Sequence, residues 1–258
     1  MSELAHQVHG PRDGRVVLLV HGFPLDRQMW RFQVNALATA GLRVVVPDLA
    51  GFGRSEGDSR DTVDGHARDL VALLDRLHIA KATVAGFSMG GYVALAVAAL
   101  APERVDGLVL IDTRANADSA EAKGKRDALI ADVLAHGVRG LAAKQIESQL
   151  TEATRKAQRL LVEEVRAMMQ RQPKGAVAAG LQAMRDRPDR LDLLKGLKVP
   201  ALILVGSEDK VTPLDAAKAM GGALINSEVQ VIDGAAHLSP MERPHEVNQA
   251  LIEWFASP

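Results

Sequence analysis

Six short apolar runs, rich in β-branched residues, recur along the chain: Val16–Val20, Val44–Val46, Ala82–Ala85, Leu108–Ile111, Ala201–Val205 and Val229–Ile232. Continuous hydrophobicity over so few residues is what a strand buried on both faces needs, and such strands belong to parallel sheets covered by crossover helices. Helical patterns fill the gaps: amphipathic stretches near Trp30–Ala40 and Val63–Leu77, then a small-residue helix, Gly91–Leu100, that stops before Pro102. The expected class is therefore α/β, a mostly parallel central sheet flanked by helices. At 258 residues, one large domain with an insertion fits better than two equal domains.

The strand rhythm stops from Arg114 to Arg190, too long a stretch for a structureless loop in a compact domain. Asp118-Ser119-Ala120-Glu121 resembles a capping box, with Leu129, Ile130, Val133 and Leu134 at helical spacing behind it. Thr151 and Glu152 can open a second helix whose apolar stripe is Leu161, Val165, Met168 and Met169. Pro173 fits a first helical position, followed by Val177, Leu181 and Met184. The expected organisation is a core made of residues 1–113 and 191–258, with residues 114–190 inserted as a helical cap.

Composition removes several function classes. Lys+Arg 31 against Asp+Glu 32 gives a net charge of −1, which makes no electrostatic case for nucleic acid or an anionic membrane. With no cysteine, disulfides, thiolate metal sites and a cysteine nucleophile are excluded. Met1–Gly14 is polar and no apolar run is long enough for a membrane span, so a cytoplasmic location is expected. No His or carboxylate cluster has metal-ligand spacing, and Gly51-Phe52-Gly53 lacks the spacing of a dinucleotide fingerprint; no cofactor is expected.

Gly86-Phe87-Ser88-Met89-Gly90 has the form G-x-S-x-G, with an expected strand running in and an expected helix running out. A serine on so sharp a turn stands above the sheet edge beside a helix N-terminus, and glycines two residues either side prevent collision across the turn. Its hydroxyl needs a base, itself oriented by a third group, in the chain order Ser, acid, His. Of the two histidines beyond residue 190, His237 directly follows the last expected strand, whereas His245 falls in the closing helix. The acid is expected after Ala201–Val205, in Gly206-Ser207-Glu208-Asp209-Lys210-Val211-Thr212-Pro213. Asp209, a short carboxylate before a Pro-containing turn, is preferred; Glu208 and Asp112, which ends the strand before the cap, are its rivals. Two backbone donors must face the tetrahedral oxyanion, and Met89 N–H and Phe23 N–H stand at the expected places, each worth about 2.7–4 kcal/mol of barrier. His21 and Gly22 read as structural supports of the Phe23 turn.

His21-Gly22-Phe23-Pro24, Asp48-Leu49-Ala50-Gly51-Phe52-Gly53-Arg54-Ser55, Gly86-Phe87-Ser88-Met89-Gly90-Gly91, Gly206-Ser207-Glu208-Asp209 and Gly234-Ala235-Ala236-His237 together resemble the signature set of the α/β-hydrolase superfamily, in its order. The resemblance covers the chain apart from the cap. It implies a mostly parallel eight-stranded sheet whose first two strands come from the segment before Val16, a segment too brief for two full strands. It further implies a serine hydrolase of the esterase and enol-lactonase branch, acting on small esters or lactones without a cofactor. Ser88 would be nucleophile, His237 base and acid, and Asp209 the orienting carboxylate.

Dehalogenases and epoxide hydrolases of that family carry aspartate where Ser88 stands and bring Trp or Tyr from the cap. Here the nucleophile position is serine and residues 93–253 contain no aromatic, so both readings fail. Cofactor-free perhydrolases share the Ser-Asp-His set, and some members of the fold are ligand receptors with little turnover. Met168, Met169 and Met184 read either as cap core or as the adaptable lining of an acyl pocket. Residues 114–190 hold 15 Lys+Arg against 10 Asp+Glu, a charge excess read first as solvated helix faces and alternatively as an attractor of anionic substrates.

Overall fold

A computed structural model describes residues 3–257. Its strands are β1 (His6–His9), β2 (Val16–Val20), β3 (Arg43–Pro47), β4 (Ala82–Phe87), β5 (Val105–Ile111), β6 (Ala201–Gly206) and β7 (Ser227–Ile232). The helices are α1 (Arg31–Thr39), α2 (Val63–Arg76), α3 (Met89–Leu100), α4 (Ala120–His136), α5 (Arg139–Gln149), α6 (Glu152–Ala157), α7 (Arg159–Gln170), α8 (Lys174–Arg185), α9 (Leu191–Gly196), α10 (Leu214–Ala223), α11 (Ser239–Glu242) and α12 (Pro244–Ala256). Strand order is β1-β3-β2-β4-β5-β6-β7, parallel throughout except for β1, which runs antiparallel to β3 with His6 opposite Pro47 and His9 opposite Val44.

Alternation along the strands sorts the core into two layers. Leu18, Val20, Val84, Leu110 and Ile203 face α2, α3 and α10; Val17, Leu19, Ala85, Phe87, Val109, Leu202 and Leu204 face α1 and α12. Every residue of β4 and β6 is buried, as two-sided coverage requires. β7 is an edge strand, with Val229 and Val231 exposed.

Seven strands are present among the described residues, one fewer than the family resemblance implies. The chain before Val16 makes one four-residue strand and a turn through Gly10 at φ +79°, which leaves no length for another.

Between β5 and β6 the helices depart from expectation in detail. Ser119 caps α4 by accepting from Ala122 N–H at 3.2 Å, one residue later than a box built on Asp118. The Asp118 carboxylate is taken instead by Arg126 and Arg187. Thr151 does cap a helix, but Gln158 leaves helical geometry (φ −116°, ψ 60°), so α6 and α7 are two helices rather than one. Pro173 is the N-cap of α8, one position before the first helical residue. Leu161, Val165, Met168 and Met169 are the buried stripe of α7, whereas Leu134 on α4 is exposed. No helix among the described residues is long and apolar enough to cross a membrane.

Candidate active site

β4 delivers Ser88 into a turn at φ +51°, ψ −116°, a conformation that costs an ordinary residue about 1–3 kcal/mol and persists only under surrounding constraint. The constraints are visible. Ser88 N–H donates to Ile111 O at 2.9 Å, and Thr113 Oγ1 donates to Ser88 O at 2.7 Å, clamping the turn to the end of β5. A Cβ on Gly86 would sit 2.2 Å from Gly90 O, and one on Gly90 would sit 2.2 Å from Val20 O. Backbone faces backbone at both positions, so only glycine fits.

Ser88 Oγ lies 2.8 Å from His237 Nε2, and His237 Nδ1 lies 2.9 Å from Asp209 Oδ2. The loops after β4, β6 and β7 thus converge above the C-terminal ends of parallel strands of one sheet, and all three side chains are buried. Asp209 Oδ1 accepts from Val211 N–H (2.7 Å) and Thr212 N–H (2.9 Å), and Oδ2 accepts from Thr212 Oγ1 (2.6 Å). Burial works against the charge on Asp209, but the bonds from His237 and Thr212 outweigh it and hold its pKa at about 2. A charged Asp209 keeps the imidazole proton on Nδ1, which leaves the Nε2 lone pair for the serine hydroxyl. A hydroxyl so placed can lose its proton as it attacks an electrophilic carbon.

The rivals are elsewhere. Asp112, at φ +44°, accepts from Gly206 N–H through Oδ1 and from Ser239 Oγ through Oδ2. Complete burial, with Asp209 nearby, pushes its pKa well above the usual carboxylate range. Glu208 and His245 are exposed. His21 is fully buried, its Nε2 accepting from Leu49 N–H at 2.9 Å and its Nδ1 3.0 Å from Gly22 O; burial lowers its pKa. A Cβ on Gly22 would lie 2.5 Å from the Phe87 ring and 3.0 Å from Phe87 O, so this glycine lets the His21–Pro24 turn rest directly on the nucleophile turn. No protein acceptor meets Phe23 N–H or Met89 N–H among the described residues. Met89 is the first residue of α3, where an amide has no intrahelical partner.

Met168 and Met169 are buried in the cluster that contains Phe87, Ile146 and Leu238; Met184 shares the other cluster with Phe23, Phe52 and Tyr92. Two residues that hold the site escaped the sequence reading. Thr212 had a signal, since a carboxylate followed two and three residues on by donors is the pattern of an Asx turn. Glu242, buried with its carboxylate on Ala236 N–H and Thr151 N–H, had none, because a glutamate in a polar helical stretch reads as solvated.

The sequence model described as the α/β hydrolase fold matches residues 15–244. The chain belongs to the α/β hydrolase fold family. Among solved structures, this α/β hydrolase is similar to a thermophilic esterase from Thermogutta terrifontis, studied with malate bound: 41% identity, TM-score 0.94, 98% of this chain and 92% of that one covered. It is also similar to the enol-lactonase from Burkholderia xenovorans LB400, at 25% identity and TM-score 0.92 over 99% of this chain and 97% of that one. Among curated sequences, the α/β hydrolase is 30% identical over 254 residues to the AB hydrolase superfamily protein YisY of Bacillus subtilis, which covers 95% of this chain and 92% of the relative.

Proposed function

We propose that the protein is a serine hydrolase of small carboxylic esters or lactones. The observation that carries this is the unbroken hydrogen-bond chain Ser88–His237–Asp209, with Ser88 on a strained turn. Ser88 Oγ attacks the acyl carbon while His237 Nε2 takes its proton and returns it to the leaving alcohol; Asp209 holds the imidazole and offsets its charge. The Phe23 and Met89 amides receive the oxyanion. Water activated by His237 then releases the acid. Residues 114–190 act as a cap, and Met168, Met169 and Met184 supply aliphatic, adjustable walls for the acyl group. Similarity to an esterase and an enol-lactonase supports the substrate class. Balanced charge and the lack of cysteine support a cytoplasmic enzyme of small molecules with no nucleic-acid or membrane partner.

Turnover of p-nitrophenyl acetate and butyrate, measured beside Ser88→Ala, tests the reading. Many turnovers lost in the variant, with phosphonate mass added at Ser88 in the parent, are expected. A single slow turnover, or activity that survives in Ser88→Ala, would instead mark a ligand receptor or a different nucleophile. A panel of acyl lengths and lactones then ranks the substrates.

A further inference from the structure

We infer that Glu242 is a positioning residue that fastens the helical insertion to His237, so that seating of the insertion and alignment of the imidazole are a single event. The inference rests on the serine-hydrolase reading above for its catalytic consequence. Glu242 is 2% exposed, and each carboxylate oxygen has a backbone donor. Oε2 accepts from Ala236 N–H at 2.7 Å, immediately before His237; Oε1 accepts from Thr151 N–H at 2.8 Å, at the start of α6. On the other side of His237, Leu238 N–H donates to Gln149 O at 2.9 Å. Both peptide neighbours of the imidazole-bearing residue are therefore attached to residues 149–151, where α5 ends and α6 begins, one directly and one through Glu242.

A carboxylate bonded to amides makes bonds roughly twice as strong as neutral ones. A carboxylate can accept from two converging N–H groups, whereas a glutamine can accept at its oxygen alone and turns an NH2 against the second donor. Displacing residues 149–151 consequently pulls on Ala236 and Leu238 together, and with them on the 2.8 Å and 2.9 Å contacts of the ring between them. The sheet side holds the same loop independently, through Asp112 on Ser239.

Thr151 allows the link to be cut from the far end. Its φ −61° and ψ 156° suit proline, and Leu150 (φ −121°, ψ 143°) has the conformation required before one. Thr151→Pro removes the amide hydrogen and the capping hydroxyl, whereas Thr151→Ala removes the hydroxyl alone. Both are compared with Glu242→Gln by three readouts: kcat and KM on p-nitrophenyl butyrate, the rate of phosphonate labelling at Ser88, and the downfield proton resonance of His237 Nδ1–H without substrate. Measurements are made below each variant's Tm. Thr151→Pro and Glu242→Gln should each lower kcat and labelling about tenfold relative to Thr151→Ala, leave KM nearly unchanged and shift the resonance, and the double variant should be no worse than the poorer single. Equal kcat and an unmoved resonance in Thr151→Pro and Thr151→Ala would overturn the inference, as would additive losses. If the parent turned over no ester while the resonance still moved, the hydrolase reading would fail and the positioning role would stand.

Discussion

Ser88, Asp209 and Asp112 each occupy a state that an isolated residue would not choose, and each state has a measurable consequence. Asp209 has a folded pKa of about 2 against 3.8 for the free group, so it contributes about 2 kcal/mol that is present above pH 4 and lost as pH falls toward 2. Thr212→Val removes one of its donors. The acid-unfolding midpoint should move to higher pH and stability at pH 7 should fall by about 1.5–3 kcal/mol, read by denaturant titration; an unchanged acid midpoint would mean Thr212 does not support the charge. Asp112 behaves in the opposite sense. Its raised folded pKa stabilises the protein below the unfolded value, and that contribution disappears as pH climbs through the folded one. An asparagine there can still accept from Gly206 N–H, but its NH2 would meet Ser239 N–H, which donates to Oδ2 at 3.3 Å. Asp112→Asn should therefore melt below the parent near pH 4 and gain on it progressively toward pH 8, whereas a Tm difference constant with pH would show the carboxyl ionised throughout. Ser88 and His237 were legible because G-x-S-x-G and a histidine after the last strand are chain-local patterns. Asp209 was preferred over Asp112 and Glu208 for its place before a Pro-containing turn, and contacts across three loops put it, and neither rival, on His237.

At the scale of elements, the turn between β4 and α3 tolerates no added carbon. Gly90→Ala places a methyl against Val20 O and His21 O, with backbone on both sides, and should cost about 4 kcal/mol or more; soluble expression and thermal melts would show it. Parental stability in that variant would mean the β2 and β4 ends can part. Six of the seven strands were legible to within three residues: both-face burial writes an apolar run in β2 to β6, and in the exposed β7 the β-branched Val229, Val231 and Ile232 carried the signal. β1 was not legible, because His6-Gln7-Val8-His9 is half or fully exposed and is held by backbone pairing to β3. α5 was missed for a related reason: it buries Leu141, Ala142 and Ile146 amid polar residues, too sparse a stripe to mark a helix. The break at Gln158 carries no glycine or proline, so nothing local announced it.

Over the whole molecule, five arginines of residues 114–190 are engaged by acids, two of them by acids outside that stretch. Arg126 and Arg187 share Asp118, Arg185 holds Asp127 and Asp186, and Arg171 and Arg190 reach across to Asp26 and Asp64. Charges neutralised at contact distance project little field through physiological salt. The logarithm of kcat/KM should accordingly have the same slope against ionic strength for an anionic and a neutral ester. A steeper slope for the anion would show that the insertion attracts charged substrates. Sequence alone determined the parallel sheet, the order of its strands along the chain and the choice of Ser88 and His237 as candidates, because hydrophobic period and turn chemistry act over a few residues. Tertiary structure decided which carboxylate faces the imidazole, how many strands the N-terminal edge holds, and that Glu242 and Thr151 meet beside His237. Those outcomes depend on burial and on hydrogen bonds between segments 28 to 91 residues apart, where no local pattern records the partner.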